Sequence, residues 1–149
     1  MHTYSPSMSK GTWLEACNCF ATRQAARHIT KLYERHLSSA SITSAQFSII
    51  VLLGQKSEMT MSSLASALVM DRTTLLRAVK PLLRDGLLIS RPGANDTRQL
   101  VFTLSAAGKR KLKQAMRLWK TAQSEFESQV GPARALRMRR DLLTLARQD

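Results

Sequence analysis

The sequence predicts a mainly α fold with a small β wing, and three observations carry that prediction. Between Asp71 and Asp85, Leu75, Ala78, Val79 and Leu82 recur at spacings of three and four and so share one side of a helix. Thr73, Arg77, Lys80 and Arg84 share the opposite side, leaving one face apolar and the other basic. Leu87–Arg91 and Gln99–Leu104 are strand-like runs joined by a turn of Pro, Gly, Asn and Asp, which is the pattern of a β-hairpin. Long helical stripes occupy both ends of the chain. A short helix, a tight turn, a basic helix and a hairpin, in that order, make a winged helix-turn-helix. That domain is predicted over 41–104. Residues 12–40 and 105–149 form a helical dimerisation region from both termini, and residues 1–11 a loose arm.

The elements follow in order. Leu14, Cys17, Ala21, Ala25, Ile29 and Leu32 keep helical spacing, predicting a first helix from about Trp13 to Leu37. A helix that long in so small a protein suits a dimer seam better than one domain's core. Thr43-Ser44-Ala45-Gln46 is a capping box that opens a second helix, expected to close at Gly54. Thr60-Met61 offers a short strand. Ser62 then caps a short helix from Ser63 to about Leu68, and Val69-Met70-Asp71 form the turn into the basic helix. Asp71 is its natural N-cap. Pro81 removes the bond to the Arg77 carbonyl and costs about 3 kcal/mol inside a helix, so a bend or an early end is expected there. Gly86 suits the left-handed position after the helix. Beyond the hairpin, Ser105 caps another long helix whose stripe is Leu112, Met116, Trp119, Ala122, Phe126 and Val130. Gly131-Pro132 ends it and starts a last helix to about Arg147.

Charge narrows the partner. Twenty-three Lys and Arg against ten Asp and Glu give a net charge of +13 in 149 residues. Such a surplus favours a polyanion, nucleic acid before membrane. The cations sit on helices, including Lys109-Arg110-Lys111-Leu112-Lys113 and Arg134 to Arg140, rather than in one tail. No run of about eighteen apolar residues crosses a membrane and no secretory pattern opens the chain. The expected place is therefore the cytoplasm, in association with the nucleoid, with Cys17 and Cys19 reduced. Cys-x-Cys with no second pair is a poor zinc site, and no motif calls for a metal or cofactor.

A basic helix followed by a hairpin with a cationic tip fits double-stranded DNA. Thr73, Thr74 and Arg77 are the candidates for base contacts in the major groove, with Arg72 and Lys80 on phosphates. Arg91 lies on the hairpin. Asp96 and Arg98 stand two residues apart at its tip, where the carboxylate can steer the guanidinium toward a narrow minor groove. Each of these residues could equally be a solvated surface charge. It is the order helix, turn, helix, hairpin that favours DNA.

The chain resembles the multiple antibiotic resistance regulator (MarR) family of bacterial transcription factors. The resemblance rests on Ile42-Thr43-Ser44-Ala45-Gln46-Phe47, Ser63-Leu64-Ala65, Asp71-Arg72-Thr73-Thr74, Asp85-Gly86-Leu87-Leu88, the wing Asp96-Thr97-Arg98, and Leu104-Ser105-Ala106-Ala107-Gly108. It implies a two-fold dimer with intertwined terminal helices on a near-palindromic operator, a repressor that a small aromatic acid or an oxidised cysteine releases. The family's wing usually reads Asp-Arg-Arg. Thr97 stands in the middle here and removes one phosphate contact.

A narrower resemblance places Cys19 where the family's organic-peroxide sensors carry their reactive cysteine, eight residues before Arg27. Tyr33 matches one of their tyrosines, while Arg23 and Ser44 occupy the places of two others. Cys19, Arg23 and Arg27 share a helix face, and Tyr33 sits well around it, placed to act across a dimer. The arginines suit the carboxylate of an aromatic effector, or they favour a Cys19 thiolate open to oxidation. Two missing tyrosines favour the ligand. The alternative to both is that the cysteines simply pack as small apolar residues. A basic RNA-binding protein would want exposed aromatics for stacking, and aromatics are only 5% of this chain. An enzyme is not expected, because His2, His28 and His36 form no triad or metal pattern.

Overall fold

In a computed structural model of the chain, residues 13–147 are described. The arm expected over 1–11, with His2, lies outside that range. Helix α1 spans Asn18–Leu37 and runs through a 3-10 turn, Ser38–Ala40, toward α2, Ser44–Lys56. Strand β1, Glu58–Thr60, leads into α3, Met61–Leu68, and α4, Arg72–Arg84. Strands β2, Leu88–Pro92, and β3, Leu100–Leu104, precede α5, Ala106–Val130, and α6, Pro132–Ala146. The three strands form one antiparallel sheet in the order β1-β3-β2, with Ser90 opposite Phe102 and Met59 opposite Phe102 on the other side. This is a mainly helical winged helix with a small antiparallel sheet, as expected.

The core lies where α2, α3, α4, the sheet and the first half of α5 meet. Leu37, Ile49, Ile50, Leu53, Leu64, Leu75, Val79, Leu82 and Phe102 are all under 2% exposed. No polar or charged residue is buried among the described residues, so burial of apolar surface holds the domain together. Phe47 and Trp119 stack with ring centroids 6.4 Å apart, joining α2 to α5.

Four expectations are corrected. Helix α1 starts at Asn18 rather than Trp13, because Cys17 caps it: its sulfur accepts from the Phe20 N–H at 3.4 Å. Helix α2 does not stop at Gly54 but continues to Lys56. A Cβ on Gly54 would lie 2.6 Å from Leu112 Cδ2, so this glycine serves close packing on α5, not termination. Helix α3 begins at Met61, and its cap is Thr60, whose hydroxyl accepts from the Ser63 N–H at 3.1 Å; Ser62 is already helical, and the strand ends at Thr60.

The fourth is the early end at Pro81, which does not occur, since α4 runs through it to Arg84. Breaking there would leave Leu82, 1% exposed, outside the core, and burying such a leucine is worth about 1.5–3 kcal/mol. The end is also well tied. The Leu87 N–H donates to Leu82 O at 2.9 Å and the Gly86 N–H to Leu83 O at 3.1 Å, with Gly86 at φ +71°. That is a Schellman cap. Helix α3 ends the same way, except that Val69 takes the left-handed position at φ +52° and is exposed. A β-branched residue pays about 1–2 kcal/mol there.

Candidate nucleic-acid interface

Helix α4 is presented by its cap. Asp71 accepts from the Thr74 N–H and from the Thr74 hydroxyl, both at 2.8 Å. The donated backbone hydrogen bond from Thr74, and then its hydroxyl, hold the Asp71 carboxyl below the usual range. A depressed carboxyl stabilises the fold above its unfolded pKa and loses that contribution as pH falls through the folded value, so the cap stands at neutral pH and fails only in acid. The same bonds occupy Thr74. Its hydroxyl proton belongs to Asp71, which leaves an acceptor and a methyl group for any base edge.

Leu75, Val79 and Leu82 are buried below α4, while Arg72, Thr73, Arg77 and Lys80 are exposed above it. Among the described residues no ion pair engages Arg72, Arg77 or Lys80. Arg84, on the same face, pairs with Asp85 at 3.1 Å.

The wing is shaped by Asp96. Its Oδ1 accepts from the Arg98 N–H at 3.0 Å and lies 3.6 Å from Arg98 Nε. Gly93 N donates to Gln99 O at 2.8 Å and Gln99 N to Asp96 O at 3.1 Å, closing the loop. Gly93 is buried there, and a Cβ on it would meet Asp96 O at 2.8 Å. The Arg98 side chain is 93% exposed, aimed away from the body. Arg91 is different. It forms an ion pair with Glu58 on β1, a partner the sequence did not reveal because strand order brings it there. Both ends of that pair are more than half exposed. Such a pair is worth about 0–1 kcal/mol and gives way readily to a phosphate.

The residues singled out on α1 separate. Cys19, Arg23 and Arg27 are exposed along one face. Tyr33 lies fourteen residues beyond Cys19, about 21 Å along the helix at 1.5 Å per residue. It turns into its own chain: its hydroxyl donates to Gln123 Oε1, Gln123 Nε2 donates to Glu127 Oε1 at 2.8 Å, and Glu127 pairs with Arg139 at 3.5 Å. This line ties α1 to α5 and α6 beside a cavity of about 240 Å³ that Ile29, Phe126 and Met138 help to wall. Burial, then the Glu127 charge, raises the Tyr33 phenol. Ser44 also points inward, donating to Glu34 Oε1 at 3.1 Å. His36 and Arg35 both engage Glu125 on α5, while His28 is exposed.

Residues 42–100 match the family model described as the MarR family. The M. tuberculosis transcriptional regulator MosR, solved in complex with DNA, is 37% identical with a TM-score of 0.76, the match covering 87% of this chain and 93% of that one. The chain belongs to the MarR family. A second structure of MosR gives 34% identity and a TM-score of 0.76 over 89% of this chain and 94% of its own. A curated MarR-type relative, the organic hydroperoxide resistance transcriptional regulator of Bacillus subtilis (strain 168), is 27% identical over 95 residues. That match spans 64% of this chain and 65% of the relative's length. As a MarR-family protein the chain is a DNA-binding transcriptional regulator of the winged-helix type. Thr97 is exposed at the wing tip. No single described helix is long and apolar enough to cross a membrane.

Proposed function

We propose that the chain is a homodimeric repressor that grips a near-palindromic operator with two α4 helices and two wings, and lets go when a small aromatic acid binds. The observation that carries this is the two-sided α4, packed by Leu75, Val79 and Leu82 and presenting unpaired Arg72, Arg77 and Lys80 beside an exposed Arg98. The dimer is supported by apolar surface that one chain leaves uncovered. Ala21 and Ala25 on α1 and Leu142, Leu143 and Leu145 on α6 are exposed along the two terminal regions. A two-fold axis through them would set the α4 helices about one helical turn apart on DNA. Titration of an operator duplex and a random duplex at moderate salt tests this. Equal affinity for the two overturns it.

The wing has its own sign test. Simple electrostatics predicts tighter binding when Asp96→Ala removes an acid from a cationic tip. If Asp96 holds both the Arg98 N–H and its guanidinium in place, the same substitution weakens binding several-fold. Anisotropy with an A·T-flanked operator reads the sign directly, and tighter binding rejects the holding role.

Release is assigned to the exposed Arg23–Arg27 pair, which offers a carboxylate two cations on one face. A second reading is favoured by the hydroperoxide-linked B. subtilis relative and by the exposure of Cys19. In it the Cys19 thiolate attacks a peroxide O–O bond, becomes a sulfenic acid and releases the alcohol. Either signal works only through different affinities for DNA-spaced and misspaced dimers. The expected result is that Cys19→Ser protein still releases DNA with aromatic acids. If wild type responds to peroxide and Cys19→Ser does not, Cys19 is the sensor and the ligand-only version fails.

A further inference from the structure

The first half of α5 carries charge that nothing inside the protein answers. Lys109, Arg110, Lys113, Arg117 and Lys120 are all exposed on it. No acidic residue occurs from Ala106 to Ser124, and none occurs on α2, β3 or the 38–40 turn, which pack against α5; α1, which packs on it most extensively, carries Glu34, whose carboxylate is engaged by Ser44. Among the described residues none of the five forms an ion pair. Lys111, by contrast, turns inward and donates to Ala40 O at 2.8 Å. The second half of the helix differs too: Glu125 and Glu127 are each paired with cations.

This arrangement costs stability twice. Lys109–Lys113 and Lys113–Arg117 are like charges one helical turn apart, which repel. Lys109 also stands in the first turn of α5, at the positive end of the helix macrodipole where acids are the favourable choice, with Arg110 just past it. A face built only for solubility has no need to concentrate one sign at this end. An anion outside the chain removes both costs.

Position decides which anion. Strand β3 runs from the wing loop to Ser105, five residues or about 17 Å at 3.4 Å per residue. The basic face therefore begins about 17 Å behind the wing and continues for about 16 Å from Lys109 to Lys120. Thr103 of β3 borders the same hollow as Lys109 and Lys113, so this face continues the wing's surface backward. Flanking duplex would meet this face on bending toward the body past the wing, and smooth bends of about 40–90° over 20–30 base pairs are within DNA's elastic range.

We propose that the α5 face binds the phosphate backbone of DNA flanking the operator and bends it around the dimer. The proposal rests on the operator reading above. It is tested with an operator core of about 20 base pairs and the same core carrying flanks of unrelated sequence to about 50. Wild-type dimer should bind the long duplex more tightly, with a salt slope steeper by about 3–4 units for two lysines per protomer. The complex should migrate more slowly in a gel with the core at the centre of the long duplex than at its end, the signature of a bend. Lys109→Gln/Lys113→Gln, both surface changes, should shrink these differences, leave the short duplex unchanged, and keep or slightly raise the melting temperature because two like-charge repulsions are relieved. Equal affinity and slope of wild type for both duplexes overturns the flank contact, as does a variant that keeps the advantage in full. So does RNA of the same length competing for wild type far better than DNA and losing that preference in the variant. Failure to prefer the short core over random DNA is the separate result that fells the operator reading, and this one with it.

Discussion

Arg77→Ala should cost about 1–3 kcal/mol at each half-site, which is about 5- to 150-fold, and should erase preference at one base position in each. The expectation follows from placement. Arg77 lies at the middle of α4, one turn from Thr73 and opposite buried Leu75 and Val79, with no acid to hold it back. On the proposed reading Arg77 would meet base edges, where a bidentate arginine reads sequence. Lys80→Ala provides the contrast. A phosphate contact carries no sequence information, so it should weaken operator and random duplex alike and lower the salt slope by about one unit per protomer. Competition titrations with both duplexes over a salt series separate the two. If Arg77→Ala weakens both duplexes equally, Arg77 is a phosphate contact and the reading position lies elsewhere on α4.

Gly108→Ala should be among the most damaging single-methyl changes in this protein. Gly108 is in the first turn of α5 and is buried. A Cβ on it would overlap the Leu87 carbonyl oxygen, far inside the 3.0 Å that real contacts respect, with Leu87 C at 3.1 Å and Leu104 Cδ2 at 3.2 Å. The nearest obstacle is backbone, and that backbone is already fixed. Leu87 O accepts from the Ser105 N–H at 3.1 Å and from its hydroxyl at 3.2 Å, joining the root of β2 to the start of α5. Alanine gains about 1 kcal/mol of helix propensity over glycine. Overpacking against an immovable neighbour costs about 3 kcal/mol or more, for a net loss of about 2 kcal/mol or more. In a chain of this size that lowers the melting temperature by about 6 °C or more. Gly86→Ala is the control, because nothing lies within 4 Å of its Cβ and only its φ of +71° resists, so about 1 kcal/mol is expected. An unchanged melting temperature for Gly108→Ala would show that α5 can shift off β2 freely.

Most of the fold was legible because its signals act over three or four residues. Thr43 and Gln46 cap each other, Asp71 caps at Thr74, and Ser105 at Gly108, each through an N–H three residues on that any sequence reader can count. The apolar stripe of α4, the Gly131-Pro132 break and the Asp96–Arg98 pair are local in the same way.

What needed the tertiary structure are matters settled by distant partners. Pro81 and Gly54 both read as helix breakers, and both helices continue, because Leu82 must stay in the core and Gly54 must admit Leu112. Arg91 showed no partner in the sequence until strand order set Glu58 beside it, and the hydrogen bond from Tyr33 to Gln123 joins residues ninety positions apart. Propensity and capping are properties of neighbours in the chain, so the sequence determined where the helices, the turn and the wing arise. Burial and pairing are properties of neighbours in space, and only they decided how far each helix runs and which charges remain open to DNA.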